Sequence, residues 1–288
     1  MDNLTENQRN VFLKIKEFLS QKMDISDNQR WSDWSILRFC RARNFDIDKV
    51  KLMISDNADW GRLVKIDSIG SIDNKLIEGV RGLTEHGYYN TDKTGRPVYI
   101  EKISGLKADD IFKRFTEEEL VLYYVQSYER LLHIILPESS RMAGRRVDST
   151  LTIMDLEGVN VVTLFTGKVK AFTTLTTKIA QDNYPEIMGN LVIVNSGFLF
   201  KGIYAIYSVT LDVKTKKKVI IHSGSGKKDL LSMIDEEKLP KFLGGKCESD
   251  VKSNVGPWKE ELELSYRENT VFHSNRSLYK QFYPNLNN

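Results

Sequence analysis

Apolar side chains near the start of the chain repeat at the spacing of amphipathic helices. The first run, which predicts a helix, consists of Val11, Phe12, Ile15, Phe18 and Leu19. A second helix is predicted over residues 32–43. A third begins at Asp46, whose carboxylate can cap it, and runs to Trp60. These patterns predict a helical N-terminal region over residues 1–80.

Beyond residue 80, short apolar runs alternate with helical patterns. The short runs are typical of strands and cover residues 97–101, 151–155, 191–194 and 219–222. The helical patterns cover residues 116–136, 164–181, 198–207 and 227–234. Thr116 and Glu119 can form a capping box at the first of these. Such alternation predicts an α/β domain with a largely parallel, mixed sheet over residues 81–246. Residues 247–288 have no clean period, and we expect them to pack on this domain.

The composition is that of an ordinary globular protein, with 41% hydrophobic and 28% charged residues. A net charge of +3 suits contact with an anionic membrane surface but is too small for a nucleic-acid partner. The polar N-terminus does not resemble a signal peptide, and no apolar run approaches the ~18 residues that span a bilayer. Cys40 and Cys247 are far apart in the chain, which favours reduced thiols in the cytosol.

Motifs of covalent catalysis were sought and not found. The Gly224-Ser225-Gly226-Lys227 run resembles the end of a phosphate loop, but Ile221 and Lys228 occupy positions where that motif needs Gly and Ser or Thr. His222 and Ser223 are adjacent on a predicted strand, so their side chains should point to opposite faces. The four histidines have no metal-ligand spacing. We therefore expect neither an enzyme nor a metal or cofactor site.

Five motifs in order along residues 30–260 resemble the CRAL-TRIO lipid-binding family. They lie closest to its secretory-pathway branch, the phosphatidylinositol/phosphatidylcholine transfer proteins. The motifs include Arg41-Ala42-Arg43, Thr94-Gly95-Arg96-Pro97, Met154-Asp155-Leu156, Tyr184-Pro185-Glu186 and Leu239-Pro240-Lys241-Phe242. The resemblance implies helices followed by a mixed sheet that floors an apolar pocket, with a mobile helix closing the pocket. It also implies a monomeric carrier, peripheral on Golgi, endosomal or other internal membranes, that exchanges single lipids and presents phosphatidylinositol to a lipid kinase.

A strongly apolar helical stretch fits this expectation on physical grounds. Each methylene moved out of water gains about 0.8 kcal/mol, so two acyl chains left wet would cost on the order of 20 kcal/mol. Only an enclosed apolar cavity removes that cost. The predicted gate helix, which would also line the acyl pocket, contributes Phe198, Phe200, Ile203, Ile206 and Tyr207. From the sequence alone, an ordinary core helix is the alternative interpretation of the same stretch.

The resemblance implies a phosphatidylinositol headgroup site, here called the inositol set. Its residues are Arg43, Glu186, Asp212, Thr215 and Lys218. Lys and Arg can neutralise a phosphate, a Thr hydroxyl can donate to it, and a carboxylate can accept from inositol hydroxyls. Branch members often carry basic residues where this chain has Asn44 and Ile187. Taken alone, residues 214–218 would be a solvated charged turn.

A second set is implied for phosphatidylcholine and is here called the choline set. It consists of Tyr88, Tyr99, Tyr128, Thr150 and Thr152. Tyrosine faces can surround a quaternary ammonium by cation–π attraction, and threonine hydroxyls suit a phosphate. Each tyrosine taken singly is typical of core packing.

Three other functions stay open at this point. The same fold could carry a sterol, squalene-like or tocopherol-like molecule, although the retained headgroup residues argue against this. The chain could also be a lipid-sensing regulatory module that does not exchange its ligand. An esterase acting on lipid is the third alternative, and the absence of a Gly-x-Ser-x-Gly elbow weakens it.

Overall fold

The computed structural model describes residues 4–22, 31–66, 69, 74–159, 167–208, 213–253 and 255–258, without the side chains of 74, 203, 206 and 207. Three helices come first: α1 (Glu6–Lys22), α2 (Asp33–Ala42) and α3 (Ile47–Leu63). Ser32 caps α2, and the Asp46 side chain accepts from the Lys49 amide at 3.2 Å to cap α3, as predicted. The apolar stripes of the three helices form one buried cluster that includes Ile15, Leu37 and Ile54.

The N-terminal helices are joined to the rest of the chain by polar contacts. The Asn57 side chain donates to Asn183 Oδ1 at 3.1 Å, and both residues are buried. The buried Arg38 guanidinium donates to the Asp148 carbonyl at 3.4 Å. The Arg146 guanidinium lies over the Trp34 ring. These groups fix the orientation of the helices because a buried polar group is costly when its partner moves away.

The sheet has five strands in chain order: β1 (Glu85–Thr91), β2 (Pro97–Lys102), β3 (Thr150–Asp155), β4 (Met188–Val194) and β5 (Val219–Ile221). β1 pairs antiparallel with β2, and every later pair is parallel. The mixed, largely parallel sheet is therefore confirmed. β1 is an addition to the predicted strands, since its sequence Glu-His-Gly-Tyr-Tyr-Asn-Thr lacks the apolar run by which strands are recognised.

The helices that precede β1 or lie between the strands pack toward one face of the sheet, where their apolar side chains join Tyr88 and Tyr99 in one cluster. They are α4 (Asn74–Gly82), α5 (Ala108–Arg114), α6 (Glu117–Arg130), α7 (Leu136–Ala143) and α8 (Gly167–Asn183). The Thr116–Glu119 capping box opens α6 as predicted. The helix predicted over residues 116–136 is α-helical only to Arg130. Residues Leu131–Ile135 form a π-helical turn that joins it to α7. Such a turn shifts the following side chains around the helix axis.

The last elements are α9 (Gly197–Tyr207), α10 (Val213–Lys217) and α11 (Lys227–Met233). α11 and the segment after it cover the opposite face of the sheet, where Leu230, Ile234 and Leu243 pack on Ile100, Leu151 and Val192. Trp258 is buried and packs edge-on to Tyr88, with ring centroids 6.1 Å apart. Residues 259–288, the larger part of the expected C-terminal extension, lie outside the described residues. Within the described part of the chain, no helix is long and apolar enough to cross a membrane.

Candidate functional site

The two faces of the sheet differ in accessibility. On the face that α11 covers, Val98, Ile100, Leu151, Ile153 and Val192 are buried almost completely. On the other face, the alternate positions of the same strands stay partly accessible: Tyr99, Glu101, Thr152, Met154 and Leu191. Strand side chains alternate between faces, so this difference means that the second face is not packed to core density. We take this face, called the open face below, as the floor of the candidate site.

The helix α9 lies across one end of the open face. Phe200 is buried at 4% exposure and packs in one cluster with Ile103, Leu156 and Ile193. Tyr204 joins this cluster, and its hydroxyl is buried without a hydrogen-bond partner among the described residues. Phe198 and Leu199 point the other way and are 91% and 75% exposed. Of the residues predicted for the gate helix and acyl pocket, Phe200 faces inward and Phe198 faces outward. The side chains of Ile203, Ile206 and Tyr207 lie outside the described residues.

The β-strands bring four residues of the choline set together. Tyr88 and Tyr99 are cross-strand neighbours with ring centroids 5.2 Å apart, and Tyr99 is paired in register with Thr152. The hydroxyls of Thr150 and Thr152 lie 3.5 Å apart. The glycine at position 189 lets β4 approach the Thr150 backbone, because a Cβ there would lie 2.8 Å from the Thr150 carbonyl oxygen. A bulge at this point lets β4 pass close to Thr150.

Tyr128, the fifth member, reaches the same region from α6. It contacts Tyr124 edge-on, with the two hydroxyls 3.4 Å apart. Burial raises the pKa of the Tyr88 hydroxyl, and the neighbouring Tyr128 hydroxyl adds to the effect. Tyr124 belongs to this aromatic group but was missed from the sequence. Its spacing of four residues from Tyr128 on one helix could have identified it.

A carboxylate that the sequence analysis did not select also lies on the open face. Glu101 follows Tyr99 by two residues on β2, so both side chains lie on the same side of the strand. Burial raises the pKa of Glu101 to about 7. Burial and, to a lesser extent, the Glu101 carboxylate raise the pKa of Tyr99, Tyr124 and Tyr128. Within the described residues, the carboxylate of Glu101 has no hydrogen-bond or ion-pair partner.

The inositol set contains one direct ion pair. Lys218 Nζ lies 3.1 Å from Glu186 Oε2, with both side chains about one quarter exposed at 27% and 26%. The Lys218 amide donates to the Thr215 carbonyl at 3.0 Å, which holds the end of α10 against β5. Glu186 has a φ of 59°, a left-handed backbone that is uncommon for a residue with a side chain. The surrounding turn holds the carboxylate toward Lys218 despite this local cost.

Arg43 lies in the loop between α2 and α3, next to α10. The ammonium of Lys214 donates to the Arg41 carbonyl at 3.4 Å and also to the Asn44 side-chain oxygen. These contacts bring the neighbours of Arg43 against the neighbours of Thr215, although no direct contact between Arg43 and Lys218 is recorded. Asp212, also expected in this set, lies outside the described residues.

The two departures from the family pattern have structural consequences here. The Asn44 side-chain oxygen accepts from the Lys214 ammonium, so a cation of α10 lies beside the loop position where the resemblance led us to expect one. Ile187 is buried in the main apolar cluster beside Tyr184 and Leu136. A basic side chain at position 187 would lose that packing and would carry a charge into the core.

In the described part of the chain, His222 and Ser223 make separate contacts and no metal cluster comes together. No group of three His, Cys, Asp or Glu side chains comes together there as a metal site. The His222 ring lies 3.2 Å from an Asp229 carboxylate oxygen, while the Ser223 carbonyl accepts the Gly197 amide. The described site residues offer aromatic faces, hydroxyls, the Glu186–Lys218 ion pair and the Glu101 carboxyl as binding contacts.

Comparison with known proteins agrees with this geometry. Residues 86–245 match the model of the CRAL/TRIO domain. The chain belongs to the CRAL/TRIO family. It is 33% identical to the SEC14 cytosolic factor of Kluyveromyces lactis over 86% of this chain and 84% of that protein. It is also 33% identical to the phosphatidylinositol/phosphatidylcholine transfer protein SFH12 of Arabidopsis thaliana, over 78% of this chain but only 42% of that protein.

A solved structure shares the fold as well. The crystal structure of Sfh5 superposes with a TM-score of 0.69 and covers 99% of this chain and 100% of its own, at 18% identity. At that identity the likeness concerns the fold alone. This chain and Sfh5 share a fold although few of their residues are identical. A shared fold does not fix the ligand, so arguments about a ligand must come from the site residues.

Proposed function

We propose that this CRAL/TRIO chain is a phospholipid transfer protein that binds single phosphatidylinositol or phosphatidylcholine molecules and exchanges them between membranes. Relatives that carry phosphatidylinositol/phosphatidylcholine transfer in their names support this proposal. In it the protein performs no covalent chemistry and uses the bound phospholipid as cargo.

The observation that carries the proposal is the continuity of the two polar sets along one sheet. Thr152 is paired in register with Leu191, and the Leu191 amide donates to the Lys218 carbonyl at 2.9 Å. Strand pairing therefore connects the two sets across the sheet, since Thr152 lies on β3 and Lys218 directly precedes β5. In this proposal, two different headgroups are held by different polar sets while their acyl chains occupy the same apolar space. A pocket for a single substrate would need only one such polar set.

The division of labour follows from the chemistry of each set. The Lys218 ammonium and the Arg43 guanidinium suit a phosphate, and the Glu186 carboxylate suits sugar hydroxyls. The tyrosine faces of Tyr88, Tyr99 and Tyr128 suit a cation that cannot donate hydrogen bonds. A sterol or tocopherol would use neither group of contacts, and this favours a phospholipid.

Exchange requires that the lipid enter and leave. We propose that α9 is the wall that moves, since Phe200 and Tyr204 close the open face while Phe198 and Leu199 lie on the outer surface. An exposed phenylalanine beside an exposed leucine offers apolar surface to a bilayer. Exposed lysines of α10, Lys214, Lys216 and Lys217, can attract anionic lipids at about 1 kcal/mol each.

The setting of this activity is part of the proposal. We place the protein as a monomer in the cytoplasm, in transient contact with Golgi, endosomal or other internal membranes, and presenting phosphatidylinositol to a lipid kinase. Restoration of phosphoinositide synthesis in cells by the wild-type chain, but not by Lys218→Ala, would support presentation. Equal restoration by both would contradict it.

Two measurements test the central proposal. Mass spectrometry of lipid that co-purifies from a membrane-containing host should find phosphatidylcholine, phosphatidylinositol or a related glycerophospholipid, about one per chain. Vesicle assays should then show transfer of labelled phosphatidylcholine and phosphatidylinositol without release of fatty acid. A co-purifying sterol would favour the other-hydrophobe carrier, and binding without transfer would favour the regulatory module. Hydrolysis of the labelled lipid would favour the esterase.

A further inference from the structure

Glu101 has no evident structural role. It occupies the penultimate position of β2, paired in register with His86 on β1 and Met154 on β3. Its side chain lies on the same side of β2 as Tyr99, whose ring contacts the rings of Tyr88 and His86, and the His86 ring contacts Tyr123 of α6. The charge of Glu101 also raises the pKa of Tyr99 and of the α6 tyrosines Tyr123, Tyr124 and Tyr128. A carboxyl group in such surroundings is costly unless a partner stabilises it.

No cation of the described residues supplies that partner. The neighbouring Lys102 lies on the other side of the strand and pairs with Glu85 at 2.7 Å. The His86 ring lies 3.1 Å from the Tyr123 hydroxyl, and burial lowers the pKa of His86 to about 4, so the ring is neutral at pH 7. Arg81 acts on His86 and Tyr123, but neither an ion pair nor a hydrogen bond joins it to Glu101. The carboxyl is left facing aromatic rings and the partly accessible space beside them.

A quaternary ammonium is the ligand group that these surroundings would suit. It carries a full charge but no N–H, so hydrogen-bond acceptors gain little from it. Aromatic faces and a nearby carboxylate both attract it by electrostatics alone. A primary ammonium would also be attracted but would need acceptors for three N–H groups. An inositol ring brings no cation at all.

We propose that Glu101 is the counter-charge for the quaternary ammonium of the choline headgroup, held among the tyrosines of the choline set. The inference rests on the proposed function and adds a specificity-determining residue to it. The tyrosines alone would accept many apolar or cationic groups. The carboxylate makes the site select a cation over the uncharged inositol ring, because a desolvated charge is stabilised only by an opposite one.

The test compares Glu101→Gln with wild type in exchange assays. Glu101→Gln keeps the shape of the side chain and removes its charge. Donor vesicles contain phosphatidylcholine and phosphatidylinositol with a trace label in one or the other. Glu85→Gln is the matched control, since it removes a surface carboxylate from the neighbouring strand.

Phosphatidylcholine occupancy in competition with phosphatidylinositol should fall about tenfold or more in Glu101→Gln, as expected when one charge of a desolvated pair is removed. Phosphatidylinositol transfer should stay within about twofold of wild type, and Glu85→Gln should match wild type for both lipids, as surface ion pairs contribute little. Unchanged phosphatidylcholine occupancy in Glu101→Gln would overturn the inference and leave the proposed function intact. A parallel loss of both lipids would also overturn it, by indicating a structural role. Failure of the wild-type chain to transfer either lipid would overturn both proposals.

Discussion

Tyr128 and Tyr184 stack face to face, with ring centroids 4.5 Å apart and ring planes 12° apart. Tyr128 belongs to the choline set, while Tyr184 directly precedes Pro185 and Glu186 of the inositol set. The Tyr184 hydroxyl also donates to Glu129 Oε1 at 2.7 Å, and Glu129 in turn lies 3.1 Å from the His133 ring. An aromatic contact therefore links the two sets. The buried Glu129 of α6 supports it, and His133 of the π-helical turn contacts Glu129 in turn.

The contributions of Tyr128 and Tyr184 to the free energy of unfolding should be coupled through this ring stack. A double-mutant cycle with Tyr128→Ala and Tyr184→Ala should give a coupling free energy of about 0.5–1.5 kcal/mol, the range for an aromatic pair beyond its buried area. Chemical denaturation of the four proteins measures it. A second cycle with Tyr123→Ala and Tyr184→Ala is the control, because the Tyr123 ring contacts His86 instead. Free energies of unfolding that simply add for Tyr128 and Tyr184 would contradict the coupling.

The two headgroup sets should be separable by single substitutions. Lys218→Ala should impair phosphatidylinositol transfer much more than phosphatidylcholine transfer, since one lost charge-assisted contact costs about 1.5–3 kcal/mol. Thr215→Ala should act in the same direction. Thr152→Ile should do the reverse, because a bulkier apolar group replaces a hydroxyl next to Tyr99. Lys14→Ala, at an exposed position of α1, is the control for general loss of charge.

Transfer rates of both labelled lipids from vesicles measure this division, with thermal unfolding to confirm that each variant is folded. If both lipids were lost in parallel by every variant, with unchanged stability, the assignment of two sets would be wrong.

The pKa of Glu101 gives a pH dependence with a defined sign. The carboxyl titrates at about 7 in the folded chain against 4.5 ordinarily, so the folded state binds more protons between these values. Stability contributed by protonated Glu101 is complete below pH 4.5 and is lost as pH rises toward 7. We expect Glu101→Gln, loaded with phosphatidylinositol, to gain stability over wild type as pH rises through this window.

Urea unfolding of both proteins at a series of pH values tests this prediction. Other titratable groups that face Glu101 are His86 from β1, Tyr99 from β2, and Tyr123, Tyr124 and Tyr128 from α6. All are present in both proteins, so their own titration cancels to first order in the difference. A difference that is constant across pH 5–7 would contradict the raised pKa.

The sequence predicted the parts of this fold that depend on local signals. Ser32, Asp46 and Thr116 lie at helix starts where a side chain must satisfy free amides. The apolar runs of β2 to β5 supply Ile100, Leu151, Val192 and Ile220 to the cluster that includes Leu230 of α11. β1 was missed because it is a largely polar edge strand. The π-helical turn at Leu131–Ile135 was missed because it depends on packing and not on residue type.

Glu101 shows why part of the site could not be predicted. A Glu near a strand end is typical of a solvated position. Only the fold shows that Glu101 is close enough to α6 to raise the pKa of Tyr123, Tyr124 and Tyr128. The residues of both sets were selected through the family resemblance. Their roles stay predictions until ligand binding is measured. The fold adds the Glu186–Lys218 pair and the Tyr88–Tyr99–Thr152 row, which no spacing in the sequence could give.

The outer surface of α9 should control contact with membranes. Phe198→Ser with Leu199→Ser should slow transfer between vesicles while leaving bound lipid in place, because both side chains are exposed and do not support the core. Leu52→Ser on α3, at 63% exposure, is the matched control. Vesicle flotation and transfer rates measure the effect. Transfer equal to wild type in the double variant would show that membrane contact uses another surface.

The inner surface of α9 should control entry of the lipid itself. A phospholipid cannot enter a covered apolar space unless one wall moves, and Phe200 holds α9 on Ile103, Leu156 and Ile193. Gly197, with a φ of 66°, starts the helix in a conformation that glycine adopts without strain, so it suits a hinge. We expect a disulfide between Phe200→Cys and Ile103→Cys, in a Cys40→Ala and Cys247→Ala background, to abolish exchange.

Reduction should restore exchange, while the fold and any lipid already bound should survive oxidation. Mass spectrometry of the cross-linked peptide verifies the bond, and each single cysteine variant controls for loss of the buried side chain. Because the reduced and oxidised forms have identical sequences, their difference reports the motion of α9 alone. Full exchange by the verified cross-linked protein would mean that lipid enters past another segment, and α9 would then be a fixed wall of the site.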